Sequence, residues 1–127
     1  MLISRIALWV AIFSLVAAAP VLADGSNHDD DRVVVVTHLD IIPTFTAQAQ
    51  PVIEQFVVDS RKDAGVELFI VISWTPTTNH FQLIEVYKNQ RAFDAHIGAA
   101  HTIQFRTDLQ QFIGAPYDER LYSVLRH

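Results

Sequence analysis

Hydrophobic and polar positions divide the chain into alternating strand and helix patterns. Apolar, β-branched and aromatic runs predict four strands, at residues 32–39, 66–74, 80–88 and 117–125. A 3.6-residue period over residues 45–64 places Val52, Phe56 and Val57 on one helix face, and residues 89–112 form a second helical region. The order β-α-β-β-α-β predicts an α+β, ferredoxin-like domain with an antiparallel sheet.

Proline, glycine and asparagine set the expected helix boundaries. Pro51 either lies in the first turn of a helix that begins near Gln50 or distorts a longer helix, and we favour the longer, distorted helix. Gly65 is expected to end the first helix. Asn89 is expected to cap the second helical region, and Gly98 to interrupt it.

Both faces of the predicted sheet are apolar. In the second strand Leu68, Ile70 and Ile72 lie on one side, and Phe69 and Val71 lie on the other. Two helices can cover one face of a four-stranded sheet, so we expect a second copy of the chain to cover the other face. Large side chains such as Phe69 and Val71, left in water, would each forgo roughly 1.5–3 kcal/mol. The alternative is a small exposed patch on a monomer.

The first 23 residues read as an export signal. Arg5 is followed by an apolar run from residue 6 to about 19, and small or slim residues, Val21 and Ala23, precede an expected cleavage site before Asp24. A membrane anchor is the rival interpretation, but the run is shorter than the roughly 20 residues that a bilayer needs. The mature chain is therefore expected to be periplasmic or secreted, without membrane attachment.

Residues 24–31 form an acidic lead-in that is expected to be disordered, and the folded domain is expected over residues 32–127. His28, beside aspartates, could hold a divalent cation, but we favour a solvated tail. The formal net charge is −5, and losing Arg5 leaves 8 basic residues (9 − 1) against 14 acidic ones, or −6. The basic residues are dispersed, so nucleic acid is not an expected partner.

Composition and motifs exclude several common chemistries. The chain has no cysteine, so stability must come from core burial or assembly rather than from disulfides. No GxSxG, P-loop, HExxH or CxxC pattern occurs. The remaining candidates for chemistry are Glu85, Tyr87, His96, His101 and Arg106, together with His38 and Trp74.

Glu85 lies on an apolar side of its strand, where a carboxylate needs a partner, and His96 is the expected one. Their contact would be either a structural ion pair or a tuned acid–base pair. His96 and His101 are five residues apart and do not share a helix face, so their spacing argues against a zinc or iron site. Trp74 and Tyr87 either wall an aromatic ligand or make core and dimer contacts.

From about Val33 to Leu125 the chain resembles the antibiotic biosynthesis monooxygenase family of dimeric α+β barrel proteins. The matching residues are Ser60-Arg61 before Gly65, residues 81–87, Ala92-Phe93-Asp94-Ala95-His96, and His101. The most specific feature is the combination of Glu85-x-Tyr87 with Ala92-x-x-x-His96. The resemblance implies a ferredoxin-like fold and a homodimer formed through the open sheet face.

The resemblance also implies a monooxygenase that oxidises a quinol or polycyclic phenol with O₂, and many such proteins use no metal, flavin or other prosthetic group. The protein would deprotonate a phenolic hydroxyl, hold the anion near O₂ and exclude water. His96 would be the base or proton relay and Glu85 its orienting partner, with Tyr87 and Trp74 as pocket walls. Further polar contacts with substrate are expected from His38, His101 and Arg106.

A haem-degrading branch of the same superfamily implies an Asn near the end of the first strand, a Trp in the second helical region and an axial His further on. The corresponding places here hold Thr37 or His38, then His96 and Arg106, so haem is not an expected cofactor. Because a fold does not guarantee an activity, the alternative is a non-catalytic dimer that binds a small aromatic ligand or serves a stress response.

Overall fold

The computed structural model describes residues 31–125. The predicted signal peptide, residues 1–23, lies outside the described residues, as does His28 in the acidic lead-in. Export, cleavage and the solvated acidic lead-in therefore stay predictions. Within residues 31–125, no helix is both long enough and apolar enough to cross a membrane.

Strands and helices follow the predicted order in the described part of the chain. They are β1 (Val33–Asp40), α1 (Thr46–Ser60), β2 (Val66–Ser73), β3 (His80–Tyr87), α2 (Gln90–Ile97), α3 (Ala100–Leu109) and β4 (Asp118–Ser123), with a 3₁₀ turn (Pro43–Phe45) before α1. The four strands form one sheet in the order β2-β3-β1-β4, and all neighbours are antiparallel. The predicted α+β, ferredoxin-like fold class is confirmed.

The first helix is the longer of the two alternatives, because α1 begins at Thr46 and contains Pro51. Its predicted end at Gly65 is wrong, since α1 ends at Ser60 and a turn leads into β2. Gly65 is needed in that turn for a different reason. Its φ is +86°, and an added Cβ would lie 2.6 Å from the Cβ of Ala92.

One face of the sheet carries the core. Alternate residues of β1 and β3 are buried beneath the three helices: Val33, Val35, Thr37, Leu39, Phe81, Leu83, Glu85 and Tyr87. Phe69 of β2 joins them and is 1% exposed. The expectation that Phe69 and Val71 need cover from a second copy is therefore wrong. The β2–β3 register pairs them with Glu85 and Leu83, which face the helices.

The other face of the sheet is open in the single chain. We call it the open face, and its apolar residues are Val34, Val36, Leu68, Ile70, Ile72, Ile84, Val86 and Tyr122. Leu68 and Ile72 are exposed, and the β1 and β3 members are half-buried. The apolar character predicted for both faces is thus present, while the second copy expected to cover this face stays a prediction.

The second helical region is interrupted at Gly98, as expected, and contains two helices, α2 and α3. Asn89 caps α2 as expected, because its Oδ1 accepts a hydrogen bond of 2.9 Å from the backbone N–H of Ala92. The helix is interrupted at Gly98 and Ala99, where the backbone N–H of Ala99 donates to the carbonyl of His96. This break brings the end of α2 next to the start of α3.

Candidate functional site

The residues expected to form one site lie on opposite faces of the sheet. Glu85, Tyr87 and His96 are buried on the helix side. His38 lies on the open face, beside a cavity of about 320 Å³ that Trp74 also lines. Trp74 is 58% exposed. The described residues therefore form no single pocket walled by both Trp74 and Tyr87, which the family resemblance implied, and Tyr87 makes core contacts instead.

Asp63, His96 and His101 meet in a cluster that we call the Asp–His–His cluster. Asp63 lies in the turn after α1, His96 in the last turn of α2 and His101 in the first turn of α3. The centroids of the two imidazole rings are 5.6 Å apart. The sequence argument against a shared site held that residues five apart do not share a helix face, with Gly98 interrupting the helix between them. The interruption itself brings the two rings together from two helices.

One carboxylate oxygen serves both imidazoles. His96 Nδ1 donates to Asp63 Oδ2 at 2.8 Å. His101 Nε2 lies 3.0 Å from the same oxygen, but this buried nitrogen lacks hydrogen-bond geometry to any partner in the described residues. The expected pairing of Glu85 with His96 is wrong, because Asp63 occupies that role. A lone aspartate in a turn carries no periodic signal, and the sequence analysis missed it.

Aromatic rings enclose His96. The rings of Phe56, Phe69 and Tyr87 have centroids 5.6, 5.5 and 5.3 Å from its imidazole. Burial lowers the pKa of His96, and the contact with Asp63 opposes that shift without reversing it. The His96 ring is thus a neutral, fixed imidazole near pH 7, and it holds Asp63 in place.

Glu85 belongs to a second buried group. The hydroxyl of Tyr87 donates to Glu85 Oε2 at 2.6 Å. Burial raises the pKa of Glu85 to about 7, although the hydrogen bond from Tyr87 opposes this.

Arg106 donates to Glu119 Oε2 at 2.7 Å and lies 5.1 Å from the ring centre of Tyr117. Arg106 therefore binds a carboxylate of β4.

A groove of about 320 Å³ runs between α1 and α3, and His101 lines it. Phe56 and Phe105 form its apolar wall, with their rings stacked at 3.8 Å and 4°. Gln55 and Gln104 add polar groups to the lining. His101 thus connects the Asp–His–His cluster with a concave, mainly apolar surface of the kind that binds small molecules.

Comparisons with known proteins agree with this architecture. No family model matches the sequence. An uncharacterised protein of Synechocystis is 22% identical over 106 residues, which cover 84% of this chain and 72% of that protein.

Several solved structures are similar over nearly their whole length. A Nitrosomonas europaea protein, provisionally named an antibiotic biosynthesis monooxygenase, is 19% identical with a TM-score of 0.71, covering 76% of this chain and 92% of that one. Rv0793 of Mycobacterium tuberculosis is 17% identical with a TM-score of 0.71, covering 76% and 97%. A further antibiotic biosynthesis monooxygenase is 16% identical with a TM-score of 0.71, covering 74% and 99%.

At these identities the likeness establishes the fold. The chain has the α+β fold of the antibiotic biosynthesis monooxygenase-like structures, as its sequence resemblance implied. The fold does not by itself assign an activity. Any chemistry depends on the Asp–His–His cluster and on the groove between α1 and α3.

Proposed function

We propose that this protein is a monooxygenase that oxidises a quinol, or a related electron-rich phenol, with O₂. The observation that carries the proposal is the position of His101, which contacts Asp63 at 3.0 Å and lines the groove between α1 and α3. An imidazole that lies beside a carboxylate and lines an apolar groove suits the removal of a phenolic proton. The monooxygenase-like fold supports the same reaction class.

The proposed base is His101 and not His96. Because Nε2 of His101 faces Asp63, Nδ1 is the nitrogen that takes the phenolic proton. The Asp63 carboxylate stabilises the imidazolium that results. His96 is 3% exposed and has aromatic neighbours on several sides, so it acts by fixing Asp63.

The phenolate supplies the electrons in this reaction. One atom of O₂ enters the aromatic ring, the other leaves as water, and the quinol loses four electrons in becoming a hydroxyquinone. No flavin, haem or external reductant is needed for this balance. Phe56 and Phe105 line the groove and are 4% and 3% exposed, so a bound aromatic ring would lie over an apolar floor.

Oxygen uptake by the mature chain with dihydroxynaphthalenes tests the proposal. His101→Ala should lower kcat by at least ~100-fold, the usual contribution of a general base. His80→Ala is the matched control, because His80 also contacts an aspartate, Asp40, but does so beside the open-face cavity. Equal turnover by the wild type and His101→Ala would remove His101 from the mechanism, and no turnover with any quinol would refute the activity.

The proposed working form is a homodimer in which the open faces of two copies meet. The apolar, partly exposed side chains of Leu68, Ile72 and Tyr122 support this arrangement, since burial of each would add to stability. Sedimentation of the mature chain across a range of concentrations tests it. A monomer at every concentration would contradict the dimer without touching the site at His101.

A second candidate function is ligand binding without turnover. The open-face cavity favours it, because Trp74 and His80 stand edge to face there, with ring centroids 5.8 Å apart. The sequence has two tryptophans, and one of them, Trp9, lies in the predicted leader, so Trp74 is the tryptophan of the mature chain. Saturable quenching of Trp74 fluorescence by a quinol, without oxygen uptake, would favour this candidate over the monooxygenase.

A further inference from the structure

We infer that Asp63, His96 and His101 form a binding site for one divalent transition-metal cation such as Zn²⁺ or Co²⁺. The donor atoms of the three side chains all lie within 4.8 Å of one another. The side chains come from a turn and two helices, so the fold, and not a local sequence motif, brings them together. Cation binding itself does not depend on the proposed oxygenase activity.

Two of the three distances between the donors are close to those in the coordination sphere of such a cation. His96 Nδ1 and His101 Nε2 lie 2.8 and 3.0 Å from Asp63 Oδ2. Two ligands at ~2.1 Å from a metal stand about 3.0 Å apart at a right angle and about 3.4 Å apart at a tetrahedral angle. Both contacts of Asp63 therefore lie within ~0.6 Å of these separations, and the two imidazole nitrogens lie within 4.8 Å of each other.

The donor chemistry selects the class of metal. Two imidazoles and one carboxylate suit zinc, cobalt, nickel or ferrous iron, whereas calcium and magnesium prefer oxygen donors. His101 Nε2 is buried and has no hydrogen-bond partner in the described residues. A cation would provide that nitrogen with the partner it lacks.

The surroundings fit a metal site as well. His96 Nε2 lies 3.4 Å from Thr102 Oγ1, an outer contact of the kind that orients a metal-binding imidazole. The side chains of Asp63 and His101 are 23% and 24% exposed, so a cation can enter from solvent. Three protein ligands also leave room for water on the metal, as in open zinc sites.

A bound cation would also regulate the proposed reaction, and this consequence does depend on the proposed function. A metal on Nε2 of His101 leaves the ring proton on Nδ1, the nitrogen that must accept the proton of the phenol. The cation-free protein is then the active form, and Zn²⁺ inhibits oxygen uptake.

Titration calorimetry with ZnCl₂ on the EDTA-treated, tag-free mature chain tests the site. One Zn²⁺ per chain is expected. Affinity should fall at least ~100-fold in Asp63→Asn and His101→Ala, since loss of an outer-shell partner alone costs 10–100-fold. Two controls, His80→Ala and His28→Ala, should bind Zn²⁺ like the wild type, because each removes an imidazole outside the Asp–His–His cluster. His80 contacts Asp40 beside the open face, and His28 belongs to the acidic lead-in.

A spectroscopic measurement on the wild-type chain covers the case in which a variant fails to fold. Co²⁺ should produce the visible absorption bands that are typical of cobalt with a low coordination number. It should also cause paramagnetic shifts of the NMR signals of the His96 and His101 imidazoles. Binding that disappears in His28→Ala or His80→Ala, or the absence of saturable binding, would overturn the inference. Zn²⁺ binding at the cluster in a protein with no oxygen uptake would uphold the site and refute the proposed function.

Discussion

The two faces of the sheet are built from similar residues but have different roles. On the helix side, Phe69 and Leu83 are almost fully buried, and Glu85 is held among them by Tyr87. On the open face, Ile72 and Leu68 are equally apolar but remain exposed in the single chain. Hydrophobicity alone therefore does not tell the faces apart. What distinguishes them in the described part of the chain is that helices cover one face and leave the other open.

The contrast extends to the histidines. His96 and His101 share an aspartate between helices, with aromatic rings around them. His80 also meets an aspartate, Asp40, but on a partly exposed edge. The same pair of residue types is thus available in two environments. The two pairs differ in burial, since His96 is 3% exposed whereas His80 and Asp40 are 39% and 45% exposed.

The largest expected effect is a loss of core stability. Phe69→Ala should lower the free energy of unfolding by about 3–5 kcal/mol, because it opens a cavity next to Phe56 and His96. Ile72→Ala, three residues along the same strand but on the open face, should change the dilute monomer by less than about 1 kcal/mol. Urea unfolding of both variants measures the difference, and equal losses would contradict the two-face description.

The next effect depends on pH. Below the ordinary pKa of 4.5, the Glu85 carboxyl is protonated in both the folded and the unfolded chain. Between 4.5 and about 7 only the unfolded chain ionises, so the free energy of unfolding falls as pH rises, by about 3 kcal/mol in all. Glu85→Gln removes this loss while keeping an acceptor for the Tyr87 hydroxyl.

Unfolding of wild type and Glu85→Gln between pH 4 and pH 8 checks this sign. The free energy of unfolding of the variant should increase relative to that of the wild type as pH rises to about 7, and the difference should then stay constant. Glu67→Gln is the control, since Glu67 pairs with Arg32 at a partly exposed position. A difference between wild type and Glu85→Gln that does not change with pH would refute a raised pKa at Glu85.

How far the sequence predicted this structure depends on the range of the interaction. The strands, Asn89 as a helix cap and the ferredoxin-like order follow from local patterns and were predicted. The sequence did not predict which face of β2 meets the helices. When a strand is apolar on both sides, its pattern does not show which side faces the core. The direction of Phe69 follows from its pairing with Glu85 across two strands.

The candidate site was predicted less completely. His96 and His101 were identified, but their contact depends on the break between α2 and α3 at Gly98, which spacing along one helix cannot describe. Asp63 reaches both rings from a turn 33 residues before His96. Such a partner is fixed by tertiary packing, and a single sequence holds no local record of it.

A smaller effect is expected at the cap of α2, the helix that carries His96 over the core face. Asn89→Ala removes the acceptor for the Ala92 N–H and should cost about 1 kcal/mol. Gln90→Ala, one residue later, removes a surface hydrogen bond to Asp94, an i,i+4 pair worth roughly 0.2–0.5 kcal/mol. Thermal unfolding of the two variants should rank them in that order, and the reverse ranking would show that the cap does not hold α2.

The smallest change in subunit stability is expected from Ile72→Lys, which nevertheless tests the open face most directly. Ile72 is 44% exposed, so in dilute monomer the substitution should alter the unfolding free energy by no more than about 0.5 kcal/mol. In a dimer joined through this face, the same lysine would be buried without a partner, and association should fail. Sedimentation velocity should then show a dimer for the wild type and a monomer for Ile72→Lys, with Val58→Lys, on an exposed position of α1, still dimeric. If Ile72→Lys and the wild type sediment alike, the open face is not where two copies meet. The apolar residues of the open face would then have a role other than dimerisation.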